Sequence, residues 1–327
     1  MKVLRNRFLN LNRCGGLIFF IFCLFGCAEN RNGKNLVFTQ AKVLDSIPSA
    51  SGIVSMNNDS VYIVGDDATA VYLLNLKDFQ YQKVPLTGLE RNLYRESKTN
   101  KHDFESTTLI DWKGNKYLLA FGSGSNLNTR DSLLLLNVSN KDDQQIVSLK
   151  DFYTRLRFVT HTDSTQWNIE GSATINDNLF LLNRGNNLII VTSLSRFLEY
   201  VFQPGFPFPP VNYTRVKLPT IQGKEARLSG ASAFNDTSLL FSASVEDTPD
   251  WQQDGPVLGS FVGYYSIKTN AIDTCYLLAD KDGKPLIEKI ESLDVLKMEV
   301  TGRYTIVAVS DNDDGSSKLF QLSLLMK

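Results

Sequence analysis

Apolar and polar residues alternate along most of the chain in short runs that are typical of β-strands. Runs such as VYIVG, KYLLAFG and LFLLN end at polar residues or at glycine. The segments NND, KGN, IND and FND lie between such runs and contain residue types that tolerate the positive φ angles of tight hairpins. A period of about 3.6 residues, which would indicate helices, is nearly absent, and only SRFLEYVF near 195–202 is compatible with a short helical turn. The pattern predicts an all-β protein.

The strand pattern repeats about every 60 residues. Each repeat has a short strand, a polar turn, a stronger apolar strand and a third strand, and a fourth, outer strand usually follows. The five repeats begin at Ser51, Glu105, Glu170, Ser229 and Glu291. Regular repetition of four-stranded units predicts a five-bladed β-propeller over residues 36–327.

The fifth repeat has only three strands before Lys327. The segment NLVFTQAKVLD, residues 35–45, can supply the missing outer strand, so we expect the N-terminal strand to close the last blade and remove an exposed sheet edge. Six blades are the alternative if segment 195–228 contains an additional sheet. Its first part, SRFLEYVFQPGFPFPPVNYTRV (195–216), holds four of the ten prolines, which cannot donate to a strand ladder, so an excursion against the propeller is the simpler interpretation.

The N-terminus has the pattern of an export signal. A basic segment, MKVLRNRFLNLNR, precedes about a dozen mostly apolar residues, too few to span a bilayer comfortably. The segment ends in LFGC, which resembles the lipobox of bacterial lipoproteins. The resemblance implies a signal peptide over residues 1–26, a lipid on Cys27, a polar tether over 27–35 and a bilayer-anchored location in the cell envelope, with the outer membrane as the expected membrane. An ordinary signal peptide or an uncleaved anchor is the alternative.

Composition narrows the function classes. The net charge of −1 argues against nucleic acid as a partner. The only histidines, His102 and His161, lie far apart in the sequence, which argues against a His-rich zinc site. Cys275 is the one thiol left after removal of the signal peptide and lipidation, and it is expected to be a small buried hydrophobic residue. The sequence leaves the oligomeric state open.

The predicted fold gathers polar residues at one mouth of the central channel. The start of each first strand and the end of each antiparallel second strand lie on the same face of a propeller. The first-strand starts contribute three glutamates in equivalent positions, and the second-strand ends contribute further acids and one arginine. The residues expected to contact a ligand there are Arg184, Asp66, Asp67, Glu246, Asp247 and Trp251.

Several carboxylates near one axis repel one another and favour a hard cation. Ca²⁺ suits such a site because it takes about six to eight oxygens with flexible geometry. The predicted metal ligands are Glu105, Glu170, Glu291, Asp311, Asp313 and Asp314. DNDDG at 311–315 is not an EF-hand loop, because its glycine comes one position early and no glutamate stands at the twelfth position. The alternatives are acids satisfied by backbone amides and by Arg184 or Lys101, or catalytic acids without a metal.

One family resemblance bears on the function. NIEGSATINDNLFLLNRGNN, residues 168–187, resembles a segment of the phytase-like (esterase-like) β-propellers, and DFESTTLIDWKGNKYLLAFGSGSN, residues 103–126, is a looser match. The resemblance implies channel-mouth acids that hold calcium, with Glu170 as a ligand and Glu105 and Glu291 as further candidates. The phytases of this family hydrolyse phosphomonoesters, but here Arg184 is the one cationic residue whose place beside such a site is well defined. The chain therefore resembles an uncharacterised bacterial lipoprotein branch of these propellers more than a true phytase.

Three functions are compatible with these observations, and the sequence leaves open whether the protein is an enzyme. The first is a lipid-tethered protein that binds a small molecule, a glycan or a protein at the mouth, with Trp167, Trp251 and Tyr94 available to stack on sugar. The second is a calcium-dependent phosphoesterase or esterase. The third is a structural envelope component in which calcium serves stability alone.

Overall fold

The computed structural model describes residues 35–89, 93–248, 255–280, 282–312 and 314–325. Cys27 and nearly all of the tether therefore lie outside the described residues, as do Trp251 and Asp313. Among the residues described, no helix has both the length and the apolar character needed to cross a membrane.

The chain forms a five-bladed β-propeller, as predicted, with five four-stranded antiparallel sheets in its described part. The strands, in chain order, are as follows: β1 (Leu36–Leu44); β2 (Ala50–Asn57), β3 (Ser60–Gly65), β4 (Ala70–Asn75) and β5 (Tyr81–Pro85) of blade 1; β6 (Phe104–Trp112), β7 (Asn115–Gly122), β8 (Ser132–Asn137) and β9 (Gln144–Ser148) of blade 2; β10 (Ile169–Ile175), β11 (Asn178–Asn183), β12 (Leu188–Ser193) and β13 (Val211–Arg215) of blade 3; a small ribbon of β14 (Thr220–Ile221) and β15 (Lys224–Glu225); β16 (Arg227–Asn235), β17 (Ser238–Glu246), β18 (Val257–Ser266) and β19 (Ala271–Leu277) of blade 4; and β20 (Ser292–Met298), β21 (Arg303–Asp311) and β22 (Ser317–Leu325) of blade 5.

The N-terminal strand closes the ring. β1 pairs antiparallel with β22 and is the outer strand of blade 5, in the order β1-β22-β21-β20. The alternative of six blades is wrong, because segment 195–228 supplies one outer strand, β13, the two-residue strands β14 and β15, and helix α2 (Leu194–Phe202). The prolines lie mainly between α2 and β13, where no ladder bond is required.

Helix α1 (Lys150–Thr160) is not anticipated by the strand pattern. Its buried residues, Phe152, Tyr153, Leu156 and Thr160, follow a helical spacing that is too short to stand out beside the strands around it. The ring of Phe152 packs against Phe197 of α2 with 4.8 Å between the ring centroids. The two helices therefore extend the apolar contact between blades 2 and 3.

The core consists of five apolar clusters, one at each contact between neighbouring blades. Strand β7 shows why: Leu118 packs toward blade 1, whereas Leu119 and Phe121 pack toward blade 3. Successive side chains point to opposite faces of a strand, so a middle strand that is buried on both faces must be almost continuously apolar. This explains the strength of the second-strand signal in each repeat.

Candidate functional site

A polar cavity of about 410 Å³ opens at one mouth of the channel, and we call it the mouth cavity. The starts of the first strands and the ends of the second strands surround it, as the repeat pattern predicts. The described residues that line it are Ser49, Ser51, Asp66, Lys101, Asp103, Glu105, Ser125, Asn126, Arg130, Asn168, Glu170, Arg184, Glu246, Lys289, Glu291 and Asp311.

A β-bulge at the same place in four blades sets the direction of the first-strand residues. The pairing register skips one residue at Ser51, Glu105, Glu170 and Ser229. A bulge leaves one residue unpaired and re-aims its side chain. In the fifth blade, Glu291 lies at the equivalent position and donates its backbone N–H to the carbonyl of Val309 at 2.9 Å. The bulge turns Glu105 and Glu170 toward the cavity, and Glu291 also lines it.

The two serines at the equivalent positions link neighbouring blades. The hydroxyl of Ser51 donates to the carbonyl of Phe104, and that of Ser229 donates to the carbonyl of Ile290 at 2.5 Å. Phe104 and Ile290 each directly precede a glutamate of the next blade. The serines thus fix the backbone that carries Glu105 and Glu291.

One half of the mouth cavity is an ion-pair network around Arg184. The guanidinium, 4% exposed, contacts Glu170 at 3.1 Å, the hydroxyl of Ser244 at 3.0 Å and the carboxylate of Glu246. Lys289 lies 3.1 Å from Glu291 and 3.9 Å from Glu246. Burial raises the pKa of Glu170 to about 7, although the charge of Arg184 acts in the opposite direction. Two of the predicted metal ligands, Glu170 and Glu291, are therefore already paired with basic side chains.

The other half is a carboxylate cluster of Asp66, Asp103 and Glu105, each of which can place one oxygen within 4.8 Å of the others. The ammonium of Lys101 contacts Asp66, and it lies 2.6 Å from Asp103. Burial raises the pKa of Glu105 well above its usual value, and the charges of Asp103 and Asp66 raise it further. Across the described segments, the Glu105 carboxylate has no hydrogen-bond donor and no ion-pair partner. Arg130 lies 3.5 Å from Asp103, so the basic side chains of this half contact the two aspartates and leave Glu105 without an ion pair.

Asp103 and Lys289 are site residues that sequence reasoning missed. Each stands two positions before a glutamate, Glu105 or Glu291, and Asn168 stands two positions before Glu170. The same spacing in three repeats is the sequence signal that could have identified them.

Three predicted site residues lie near the mouth without lining the cavity. Asp67 is nearly buried and pairs with Arg95 at 2.7 Å. Asp247 is half exposed, with Lys224 at 3.1 Å. Asp314 is exposed and accepts a hydrogen bond from the backbone N–H of Ser316 at 2.9 Å.

The proposed stacking role of Trp167 is wrong. Its side chain is fully buried and packs against Tyr153 of α1, with 5.5 Å between ring centroids. Tyr94 remains 44% exposed in the loop between β5 and β6. A carbohydrate platform that uses Trp167 cannot form in this fold.

Comparisons with known proteins give a family and several similar solved structures. A family model described as "Family of unknown function (DUF6929)" matches residues 46–324, and no curated protein matches the chain. Similar solved structures include hydrazine synthase of Kuenenia stuttgartiensis (12% identity, TM-score 0.38, 82% of this chain and 57% of that chain). A protein of unknown function from Bacteroides thetaiotaomicron VPI-5482 is 10% identical (TM-score 0.41, 89% and 74%), and the tail fibre of Staphylococcus aureus phage P68 is 12% identical (TM-score 0.44, 90% and 54%). The chain spans little more than half the length of the hydrazine synthase and tail fibre chains.

Proposed function

The chain belongs to DUF6929, a family of unknown function, and we propose its function from the mouth cavity. In this proposal the protein is anchored in the cell envelope and binds a divalent cation in the cavity, together with a small polar ligand or a polar group of a partner. The observation that carries this proposal is the Glu105 carboxylate, which lies beside Asp66 and Asp103 without a hydrogen-bond donor in the described part of the chain.

Charge in the cavity supports a cationic ligand. Its described lining contains seven carboxylates and four basic side chains, an excess of three negative charges. Each of the four basic side chains contacts at least one of these carboxylates. A desolvated carboxylate needs a cation, a donor or a proton to compensate it. A bound cation would stabilise the charged form of Glu105, whereas burial disfavours that form and holds the pKa of this carboxyl above its usual value.

The carboxylate cluster suits Ca²⁺ in donor type and in size. Oxygen ligands of Ca²⁺ lie about 2.3–2.6 Å from the ion, so two of them on opposite sides are separated by roughly 5 Å. The three oxygens of the cluster lie within 4.8 Å of one another. The ammonium of Lys101 contacts two of the same residues, so a cation must displace it or share its carboxylates. When bound, the ion would offer further coordination positions to a ligand in the cavity.

The envelope location is part of the proposal and is supported by the N-terminal sequence. LFGC with the preceding basic and apolar segments indicates export and a lipid on Cys27. Metabolic labelling of the expressed full chain with an alkyne fatty acid should mark the protein, and the label should be lost in Cys27→Ser and kept in Cys275→Ser.

Phosphoester hydrolysis is a second candidate, favoured by the basic residues in the same cavity as the carboxylate cluster. Arg184 and Lys289 could contact a phosphate group beside a bound cation. However, Arg184 is held by two carboxylates and a serine hydroxyl, and Lys289 is held by Glu291. Anion binding would require these ion pairs to rearrange, so we place binding ahead of hydrolysis.

Calorimetric titration of the purified full chain with CaCl₂ and MgCl₂, after treatment with EDTA, tests the proposal. We expect saturable Ca²⁺ binding that Glu105→Gln weakens at least about tenfold, a change of roughly 1.4 kcal/mol. Asp247→Asn is the matched control because it removes a carboxylate at the same mouth but outside the cavity lining. Absence of binding, or equal weakening by both variants, would refute the assignment.

Two further measurements on the same purified protein, of turnover and of melting temperature, separate the alternative functions. Ca²⁺-dependent turnover of p-nitrophenyl phosphate would establish the phosphoesterase. A Ca²⁺-dependent rise in melting temperature, with no polar ligand retained in a screen of glycans and phosphoesters, would instead establish a purely structural role for the ion.

A further inference from the structure

The end of the propeller opposite the mouth carries five hairpin loops, one between the first and second strands of each blade. Four of these loops have two residues, polar or glycine, at 58–59, 113–114, 176–177 and 236–237. The fifth, between β20 and β21, has four residues, 299–302, with the sequence EVTG. The hairpin of blade 5 therefore extends further than its counterparts and differs from them in chemistry.

The apolar side chains of this hairpin face solvent. Val300 is fully exposed, more so than any other large hydrophobic side chain in the described segments, and Met298 is 66% exposed. Backbone hydrogen bonds from Glu299 to Arg303 (2.7 Å) and from Gly302 to Glu299 (3.0 Å) define the turn. Gly302 has φ +75, a value that glycine adopts without strain. The turn thus holds Val300 at its tip in a fixed conformation.

The chain enters the propeller beside this hairpin. Leu36 pairs with Leu324, Leu324 with Tyr304, and Tyr304 with Met298, so the four residues form one row across blade 5. The backbone N–H of Leu325 also donates to the carbonyl of Asn35 at 2.7 Å. Whatever precedes Asn35 in the chain is attached at the end of the propeller that carries the hairpin tip.

We propose that the tip of this hairpin contacts the lipid bilayer, with Met298 and Val300 inserted among the head groups, and that the mouth cavity consequently opens away from the membrane. The inference rests on the lipid at Cys27 that forms part of the proposed function. From Cys27 to Leu36 even a fully extended chain reaches only about 30 Å, which keeps this end of the propeller close to the bilayer.

The composition of the hairpin fits a bilayer surface. Exposed apolar side chains lose water on insertion, and basic side chains nearby can contact lipid phosphates. Lys297 is exposed and Arg303 half-buried at the base of the hairpin, and the one acid of the turn, Glu299, is half-buried between Met298 and Val300. Phe158, 80% exposed, lies on α1 directly after β9 of blade 2 and has no such row connecting it to the chain entry.

The experiment uses the lipidated full chain reconstituted into vesicles of phosphatidylethanolamine and phosphatidylglycerol. A cysteine is introduced at Val300 and labelled with the fluorophore NBD, in a Cys275→Ser background that removes the other mature thiol. Leu93→Cys is the matched control, because Leu93 is an exposed apolar residue, at 40%, in the loop between β5 and β6 at the mouth end. Vesicle flotation, emission wavelength and quenching by doxyl-labelled lipids are measured for both.

Membrane contact by the hairpin predicts blue-shifted emission and strong lipid quenching for the label at position 300, with neither for the label at position 93. Equal quenching at the two positions in protein that floats with the vesicles would overturn the orientation and leave the anchor intact. Protein that fails to float would instead show that the anchor is wrong, and the orientation would fall with it. A blue shift at position 300 that grows with protein concentration and is not quenched by doxyl-labelled lipids would indicate contact with a second copy. That result would also overturn the inference.

Discussion

Asp294 provides a direct test of the electrostatics inside the channel. Its buried carboxylate accepts hydrogen bonds from the backbone N–H groups of Ser55, at 2.6 Å, and Val295, at 2.9 Å. Burial raises its pKa from 3.8 to about 6, even though these two hydrogen bonds act in the opposite direction. The carboxyl group therefore binds its proton more tightly in the folded protein than in the unfolded chain.

The sign and size of the effect on stability follow from this difference. Because the folded pKa is the higher one, the contribution of Asp294 to stability is complete below pH 3.8 and is lost as the pH rises through about 6. A difference of about two pKa units corresponds to about 3 kcal/mol of unfolding free energy. Between pH 4 and pH 8 the wild type should therefore lose about 2–3 kcal/mol relative to a variant that cannot ionise at this position.

Asp294→Asn is that variant, and urea unfolding at half-unit intervals from pH 4 to pH 8 is the assay. At pH 4 the two proteins should be similar, because a protonated carboxyl and an amide each present one good acceptor oxygen. At pH 8 the variant should be the more stable one. Asp247→Asn, which removes a half-exposed carboxylate, is the control and should follow the wild type. A difference between wild type and Asp294→Asn that stays constant across the range would refute the reasoning.

Three further predictions concern the mouth and the anchor. Arg184→Met should lower the unfolding free energy at pH 8 by about 3–5 kcal/mol, because it removes the guanidinium that both Glu170 and Glu246 contact. The loss, measured by urea unfolding, should shrink below pH 6 as Glu170 takes up a proton. An equal loss at both pH values would contradict this prediction. Lys101→Met should raise the calorimetric affinity for Ca²⁺ about tenfold by removing a competing ammonium, and an unchanged affinity would show that Lys101 does not compete. Cys27→Ser should abolish fatty-acid labelling of the full chain, whereas retained label would place the lipid elsewhere.

The bulged first-strand positions show how far the sequence could predict the site. The repeat register placed Glu105, Glu170 and Glu291 at equivalent positions, and all three line the mouth cavity. It did not reveal that Glu170 and Glu291 have basic partners while Glu105 has none in the described segments, because the repeat register does not give the direction of long side chains such as Arg184 and Lys289. The alternation of a strand gives the face of a side chain, but its ion-pair partners depend on side-chain conformations that only the three-dimensional structure gives.

Trp167 and helix α1 illustrate the same limit from the apolar side. Trp167 follows a polar segment and precedes Asn168, so local sequence suggests an exposed loop. The tertiary structure buries it against Tyr153, which belongs to a helix that the strand pattern did not predict. An aromatic ring at the end of a loop is exposed or buried according to what packs over it, and that element comes from elsewhere in the chain.

By itself the sequence determined the five blades, their closure by β1 and the end of the channel at which the acids collect. These features depend on strand periodicity and repeat register, and both can be read from the order of apolar and polar residues along the chain. Only the tertiary structure decided which carboxylates are neutralised, which aromatic residues are covered and which hairpin stands beside the chain entry. Those outcomes depend on distances of a few ångströms between side chains, which strand periodicity and repeat register do not give.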